Sequence, residues 1–264
     1  MAIIGLGLIG IMGTVLGLLG GGGSILTVPI LVYLFDIPAS LATGYSLFIV
    51  GITSIIGAIR YRHHVRLLIG LVFAVPASMG VTLSRRYLLQ PLPDTLIWGQ
   101  LTIPKDDLIM IIFAILMIGV GWAMFRKRLN DTKPPIGMSL TAILLIGVEG
   151  LIVGGFTGFV GAGGGFMIVP ALTLLAGIPL RDAIATSLLV IAAKSLIGFA
   201  GDIQMGIAID WTQLLVFTSL TIAGSFMGVA LNKRVSVTHL RHVFAGFVCV
   251  FGLGILLFQL NDFL

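Results

Sequence analysis

The sequence predicts an all-α polytopic membrane protein built from two homologous halves. Three features carry that prediction: a shortage of charge, a succession of long apolar segments, and an internal repeat spanning nearly the whole chain.

Of 264 residues, 58% are hydrophobic and only 9% charged, and the mean hydropathy is +1.17. A typical soluble domain carries about 25% charged residues. So few charges cannot cover a water-facing surface, which leaves lipid as the outer solvent. The same shortage argues against the dinucleotide-binding enzyme suggested by Gly5-Leu6-Gly7-Leu8-Ile9-Gly10, a G-x-G-x-x-G followed by an apolar run ending in Asp36. Its helix would have to pass through Gly20-Gly21-Gly22-Gly23, at about 1 kcal/mol per glycine relative to alanine. The net charge is +5. The basic residues lie in short clusters between apolar segments, the pattern of cytoplasmic membrane anchors and not of a nucleic-acid partner. The single cysteine, Cys249, excludes an internal disulfide. No cofactor is called for, and no histidine spacing calls for a metal. No cleavable signal peptide is expected, since nothing basic precedes the first apolar run.

In order, the apolar stretches are 3–19, 24–35, 41–59, 67–84, 108–125, 136–160, 165–176, 183–200, 211–231 and 243–260. Most approach the ~20 residues that a helix needs to cross a bilayer. The two short ones, 24–35 and 165–176, each follow a glycine cluster, and both belong to the repeat. A shift of 141 places Gly13 on Gly154, Gly17 on Gly158, Gly20 on Gly161, Gly22-Gly23 on Gly163-Gly164, Pro29 on Pro170, Pro38 on Pro179 and Ser46-Leu47 on Ser187-Leu188. Further on, Met79-Gly80-Val81 echoes Met227-Gly228-Val229. The chain thus reads as one integral membrane domain, 1–264, made of repeats 1–129 and 130–264.

Charge orients the halves. The loop 60–66 holds Arg60, Arg62, His63, His64 and Arg66, whereas its equivalent, 201–210, has two aspartates and no lysine or arginine. Equivalent loops on opposite faces make the halves inverted repeats. Inversion needs an odd number of crossings per half, so each glycine cluster becomes a re-entrant hairpin, with about ten helical segments in all. Were the clusters only kinks, about eight crossings and parallel halves would follow. The inverted scheme puts Arg126-Lys127-Arg128, Lys133, Arg181, Lys233-Arg234, His239, Arg241 and His242 inside and both termini outside. Arg85-Arg86 and Lys105 fall outside, against the rule, in company with Asp94, Asp106 and Asp107. Trp98, Trp122 and Trp211 fall near segment ends, where an aromatic belt accounts for them.

The clusters Gly20-Gly21-Gly22-Gly23-Ser24 and Gly161-Ala162-Gly163-Gly164-Gly165 unwind a helix. Unwound backbone survives in a membrane only where protein or a water-filled cavity satisfies it. Helices restarting at Ser24 and Gly165 would present free N–H groups and a positive dipole end with no side chain in the way, which suits an anion. Two such ends could share one central site. The competing reading is close helix packing, which suffices for Gly13/Gly17 and for Gly150/Gly154/Gly158. Thr43, Tyr45, Ser46, Thr186 and Ser187 recur after the two breaks as candidate lining, although hydroxyls commonly bond back to their own helix. Lys194 sits in mid-segment, where a lysine costs about 3 kcal/mol to insert. It is placed to hold an anion or to pair with Glu149, and a snorkelling lysine is the alternative. Glu149 is a candidate for a coupling proton.

The pattern Gly158-Phe159-Val160-Gly161-Ala162-Gly163-Gly164-Gly165, Val169-Pro170, Gly177-Ile178-Pro179 and Thr186-Ser187-Leu188 resembles the sulfite exporter TauE/SafE family of membrane transporters. The first half departs from it at Ser24, Asp36-Ile37-Pro38 and Tyr45-Ser46-Leu47. The resemblance implies a multi-pass inner-membrane permease for a small sulfur-containing anion such as sulfite or a sulfonate. With no nucleotide-hydrolysis motif, a proton, sodium or substrate gradient would drive it. A passive anion channel of the same architecture is the alternative, an intramembrane enzyme lacks a nucleophile–base pair, and a homodimer stays open.

Overall fold

The computed structural model describes residues 2–19, 22–98, 101–126, 140–161, 163–174, 177–231 and 237–261. Its helices are α1 (Ala2–Leu19), α2 (Thr27–Phe35), α3 (Ala39–Arg60), α4 (Leu67–Leu83), α5 (Lys105–Arg126), α6 (Leu140–Val160), α7 (Gly165–Leu174), α8 (Leu180–Gln204), α9 (Trp211–Leu231) and α10 (Val237–Asn261). A 3-10 turn, Gly22–Leu26, leads into α2, and a π-helical turn, Ser84–Leu89, extends α4. Among the described residues, five helical stretches are long and apolar enough to cross a membrane: Ala39–Arg60, Leu67–Leu89, Ile143–Val160, Arg181–Gln204 and Trp211–Leu231. Large apolar side chains such as Leu71, Val75, Leu144, Val148, Phe226, Met227, Val250 and Leu257 point outward, as a lipid-facing surface requires.

The chain reverses after the first glycine cluster. Gly23 abuts the backbone of Leu16 and Met12, Thr27 Oγ1 donates to Met12 Sδ at 3.0 Å, and the Phe35 ring lies on Gly5. These contacts run down α1 as they run up the sequence, so α2 folds back along it. Both short helices then end with the same device. Asp36 (φ 53) and its repeat equivalent Gly177 (φ 62) are left-handed. Behind them Ile37 N–H reaches Leu31 O at 3.2 Å and Ile178 N–H reaches Leu172 O at 3.5 Å. Pro38 and Pro179, with ψ 138 and 146, start α3 and α8 in extended geometry. Asp36 is thus a tolerated stand-in at a position that favours glycine.

The long helices pair across the halves. Central α3 and α8 are antiparallel, with Gly44 at Asp202, Gly51 at Leu196 and Gly57 at Leu188. Helix α4 runs parallel to α6, with Phe73 at Gly150, Ala77 at Gly154 and Val81 at Gly158. In the same way α1 runs parallel to α9, with Gly13 at Thr221 and Gly17 at Ser225. Helices α5 and α10 form an antiparallel outer pair, with Gly121 at Cys249 and Gly252 at Met117. At Gly13, Gly17, Gly150, Gly154 and Gly158 one helix backbone lies directly on another, the close approach that small-residue stripes permit, whereas Gly44, Gly51 and Gly57 of α3 receive side chains of α8.

Two ends result. The basic end carries Arg60, Arg62, His63, His64, Arg66 and Arg181. The other end carries an element that an all-α reading misses, a hairpin of β1 (Thr95–Trp98) and β2 (Leu101–Pro104) with Trp98 opposite Leu101. At that hairpin end Ser40 N–H donates to Asp106 Oδ1 at 2.8 Å, tying α3 to α5. One correction concerns charge. Arg85 and Asp202, expected in solvent-facing loops, lie in helical turns and are buried against each other, because pairing offsets the desolvation of each. Lys127, Arg128, Lys133, Lys233 and Arg234 lie outside the described residues, as do Gly20, Gly21 and Ala162.

Candidate substrate site

The second glycine cluster is an irregular loop between α6 and α7. Gly161 (φ 74), Gly163 (φ 60) and Gly164 (φ 76) are all left-handed, a conformation that disfavours any residue with a Cβ. Met167 and Ile168 N–H groups both donate to Gly164 O at 3.0 Å. Gly164 is therefore the residue from which α7 starts, and it has no side chain to cap the N–H groups that follow. The first break differs. There Gly22–Leu26 is a 3-10 turn, and Ser24 lies inside it instead of opening a helix, since Gly22 and Gly23 carry no side chain to oppose the tighter winding.

The two breaks meet. A Cβ on Gly163 would stand 3.2 Å from Ser24 Oγ and 2.6 Å from Val50 Cγ1, while one on Gly161 would overlap the backbone of Thr43. Lys194, wholly buried on α8, donates from Nζ to Thr157 Oγ1 at 2.5 Å. Its ammonium lies 3.2 Å from where a Cβ of Gly164 would be. Thr157 in turn donates to Gly154 O at 3.3 Å. An ammonium has three donors, and Thr157 takes one. The lysine head is thus held at the glycine loop, eight residues or about 12 Å along α6 from Glu149. Glu149 is half-buried, one residue before Gly150, which abuts the Phe73 backbone of α4.

The hydroxyls divide. Thr43 Oγ1 donates to Ser40 O at 2.8 Å and Ser187 Oγ to Ile184 O at 2.8 Å, both bonding back into their own helix. Thr186 Oγ1 accepts from Arg66 N–H at 2.9 Å, at the basic end. Tyr45 OH accepts from Asp210 N–H at 2.7 Å, at the hairpin end. Ser46 is buried with no hydrogen-bond partner for its Oγ among the described residues. The structure therefore gathers Ser24, Thr43, Gly161, Gly163, Gly164 and Lys194, and sets Tyr45 and Thr186 toward opposite ends. Thr157 is the contributor that sequence reasoning missed. Its signal was a hydroxyl one turn before the glycine cluster, inside the small-residue stretch Gly154-Gly155-Phe156-Thr157-Gly158.

Comparison with known proteins decides the family. The profile described as "Sulfite exporter TauE/SafE" matches residues 4–255. The chain belongs to the TauE/SafE family. Its relatives include a "Probable membrane transporter protein" of Xylella fastidiosa (strain 9a5c), 31% identical, with 94% of this chain and 92% of that protein aligned. A protein of the same description from Methanocaldococcus jannaschii is 28% identical, over 95% and 92% of the two chains. One from Bacillus subtilis (strain 168), YunE, is 28% identical over 85% and 86%. No solved structure matches the chain. With its apolar spans, this TauE/SafE protein is a multi-pass membrane transporter.

Proposed function

We propose that this TauE/SafE protein is a secondary permease of the inner membrane that moves a small sulfur-containing anion, such as sulfite or a sulfonate. The anion is held between the two glycine breaks by backbone N–H groups and by Lys194. One observation carries the reading: the breaks converge, Ser24 against Gly163, with a fully buried ammonium at Gly164. Peptide N–H groups at a helix start favour anions, and a lysine inside a membrane helix marks a substrate or ion path. Lys194 would turn its remaining donors to the anion, with Thr157 fixing its direction. The family description supplies sulfite as the first substrate to try.

The halves are read as inverted repeats related by an axis in the membrane plane. Supporting this, α1 starts at the hairpin end and α6 at the basic end, each short helix follows a glycine break, and the first helix of each half packs parallel to α9 or α4 of the other. Such halves alternate access around a central site by rocking. The test is transport in proteoliposomes, with a binding panel of sulfite, sulfonates, sulfate, thiosulfate and carboxylates. Accumulation of sulfite against its gradient, driven by protons or sodium, is expected. Dissipation alone would make the protein a channel, and equal binding of carboxylates would remove the sulfur-anion assignment.

A further inference from the structure

Arg85 and Asp202 form a second buried polar centre, at the hairpin end. Each is almost completely buried. Arg85 Nε donates to Asp202 Oδ1 at 2.5 Å, and Nη1 donates to Gly158 O at 2.9 Å. The remaining ends of the pair, Nη2 and Oδ2, have no partner among the described residues. Both face the bare Cα of Gly44, 3.4 and 2.8 Å from where a Cβ would stand. Arg85 sits in the π-helical turn Ser84–Leu89, a winding often found at functional positions.

One guanidinium therefore ties α4 of the first half to α6 and α8 of the second. Its bond to α6 lands on Gly158, in the last turn before the glycine loop. Side chains of α3, α8 and α9 pack around it. Tyr45 OH accepts Asp210 N–H at 2.7 Å, and the Phe199 ring packs on Phe48 at 4.8 Å and on Trp211 at 6.1 Å. The basic end uses the same chemistry in a wet setting. There Asp182 accepts from Arg66 Nε at 2.7 Å and meets His64 Nδ1 at 3.0 Å, with the Arg66 and His64 side chains 59% and 47% exposed. A buried pair that loses one partner leaves an uncompensated charge, whereas an exposed pair separates at little cost.

We propose that Arg85–Asp202 is the latch that keeps the hairpin end of the substrate path shut, by clamping the last turn of α8 and the turn of α6 before the glycine loop onto α4. Opening that end requires the pair to part. The proposal rests on the transport reading above for the existence of a path.

The test reads access without substrate. In a Cys249→Ala background, Ser46→Cys reports reach to a wholly buried position of α3, and Asp94→Cys marks the hairpin side. A membrane-impermeant maleimide is applied in turn to each face of oriented vesicles. With the latch intact, Ser46→Cys labels slowly from the hairpin side. Asp202→Asn raises that rate at least about tenfold, from that side alone, and the exchanged pair Arg85→Asp/Asp202→Arg returns it toward the slow value. Arg85→Lys, which keeps the charge and gives up the two-pronged grip, gives an intermediate rate and serves if Asp202→Asn does not fold. No rise, an equal rise from both sides, or loss of monodisperse protein in both variants overturns the latch. Because the assay holds no anion, its failure leaves the anion site standing, and failure of sulfite binding leaves the labelling result unaffected.

Discussion

Lys194 is the residue at which the transport reading is most exposed to test. A buried ammonium held, among the described residues, by one hydroxyl is a poor structural device, because an apolar residue of similar length would fill the space without the cost of desolvation. Lys194→Met is therefore expected to leave the melting temperature of the purified protein unchanged or higher. The same change removes a charged donor to the anion, worth about 1.5–3 kcal/mol, so calorimetry should show sulfite binding about 10- to 100-fold weaker. Wild-type affinity combined with a lower melting temperature would make the lysine structural. Thr157→Val should weaken binding by a smaller factor, since it leaves the charge in place and frees its direction. Gly163 behaves differently. There φ is 60 and Val50 Cγ1 crowds the Cβ position at 2.6 Å, so a side chain at that position disturbs the fold itself. Even Gly163→Ala should cost roughly 1–2 kcal/mol from the left-handed backbone alone, seen as a lower thermal midpoint in detergent.

The helix pairs show what local sequence reveals about elements and where it stops. The apolar segments and the four-residue glycine spacing were legible, because burial and close approach leave a period in the sequence. Gly154 lies against the backbone of Ala77, so Gly154→Ala should push α4 from α6 and cost about 1–3 kcal/mol. Gly119, on the outward side of α5, has nothing within 4 Å of its Cβ position. Gly119→Ala should be neutral or stabilising by up to about 1 kcal/mol, and a thermal-shift comparison of the two variants separates packing glycines from incidental ones. What was not legible depends on pairing over long sequence distances. Arg85 finds Asp202 and Lys194 finds Thr157 only because α4, α6 and α8 are adjacent in space. Read locally, Arg85 is one more basic residue at a segment end. The β1–β2 hairpin was hidden for another reason: its few β-branched residues make too short a run to stand out beside helices.

At the scale of the whole molecule, the two ends differ in charge. Arg60, Arg62, Arg66 and Arg181 gather with Asp182 at one end of the described structure, while Asp36, Asp94, Asp106, Asp107 and Asp210 outnumber Arg86 and Lys105 at the other. Positive residues are retained on the cytoplasmic side during insertion, so the basic end should face the cytoplasm. The loops that decide between inverted and parallel halves are the repeat equivalents around Arg62 and Ala208, both exposed. In a Cys249→Ala background, Arg62→Cys and Ala208→Cys should label from opposite faces of the membrane, Arg62→Cys from the cytoplasm. Labelling from one face would make the halves parallel. It would also contradict the antiparallel α3–α8 seam, in which Gly44 meets Asp202 and Gly57 meets Leu188. Opposite faces would mean that two copies of one hairpin unit enter the membrane from opposite sides and meet at their glycine turns. A rocking transporter needs that symmetry, since each of its two states then reuses the same contacts with the roles of the halves exchanged.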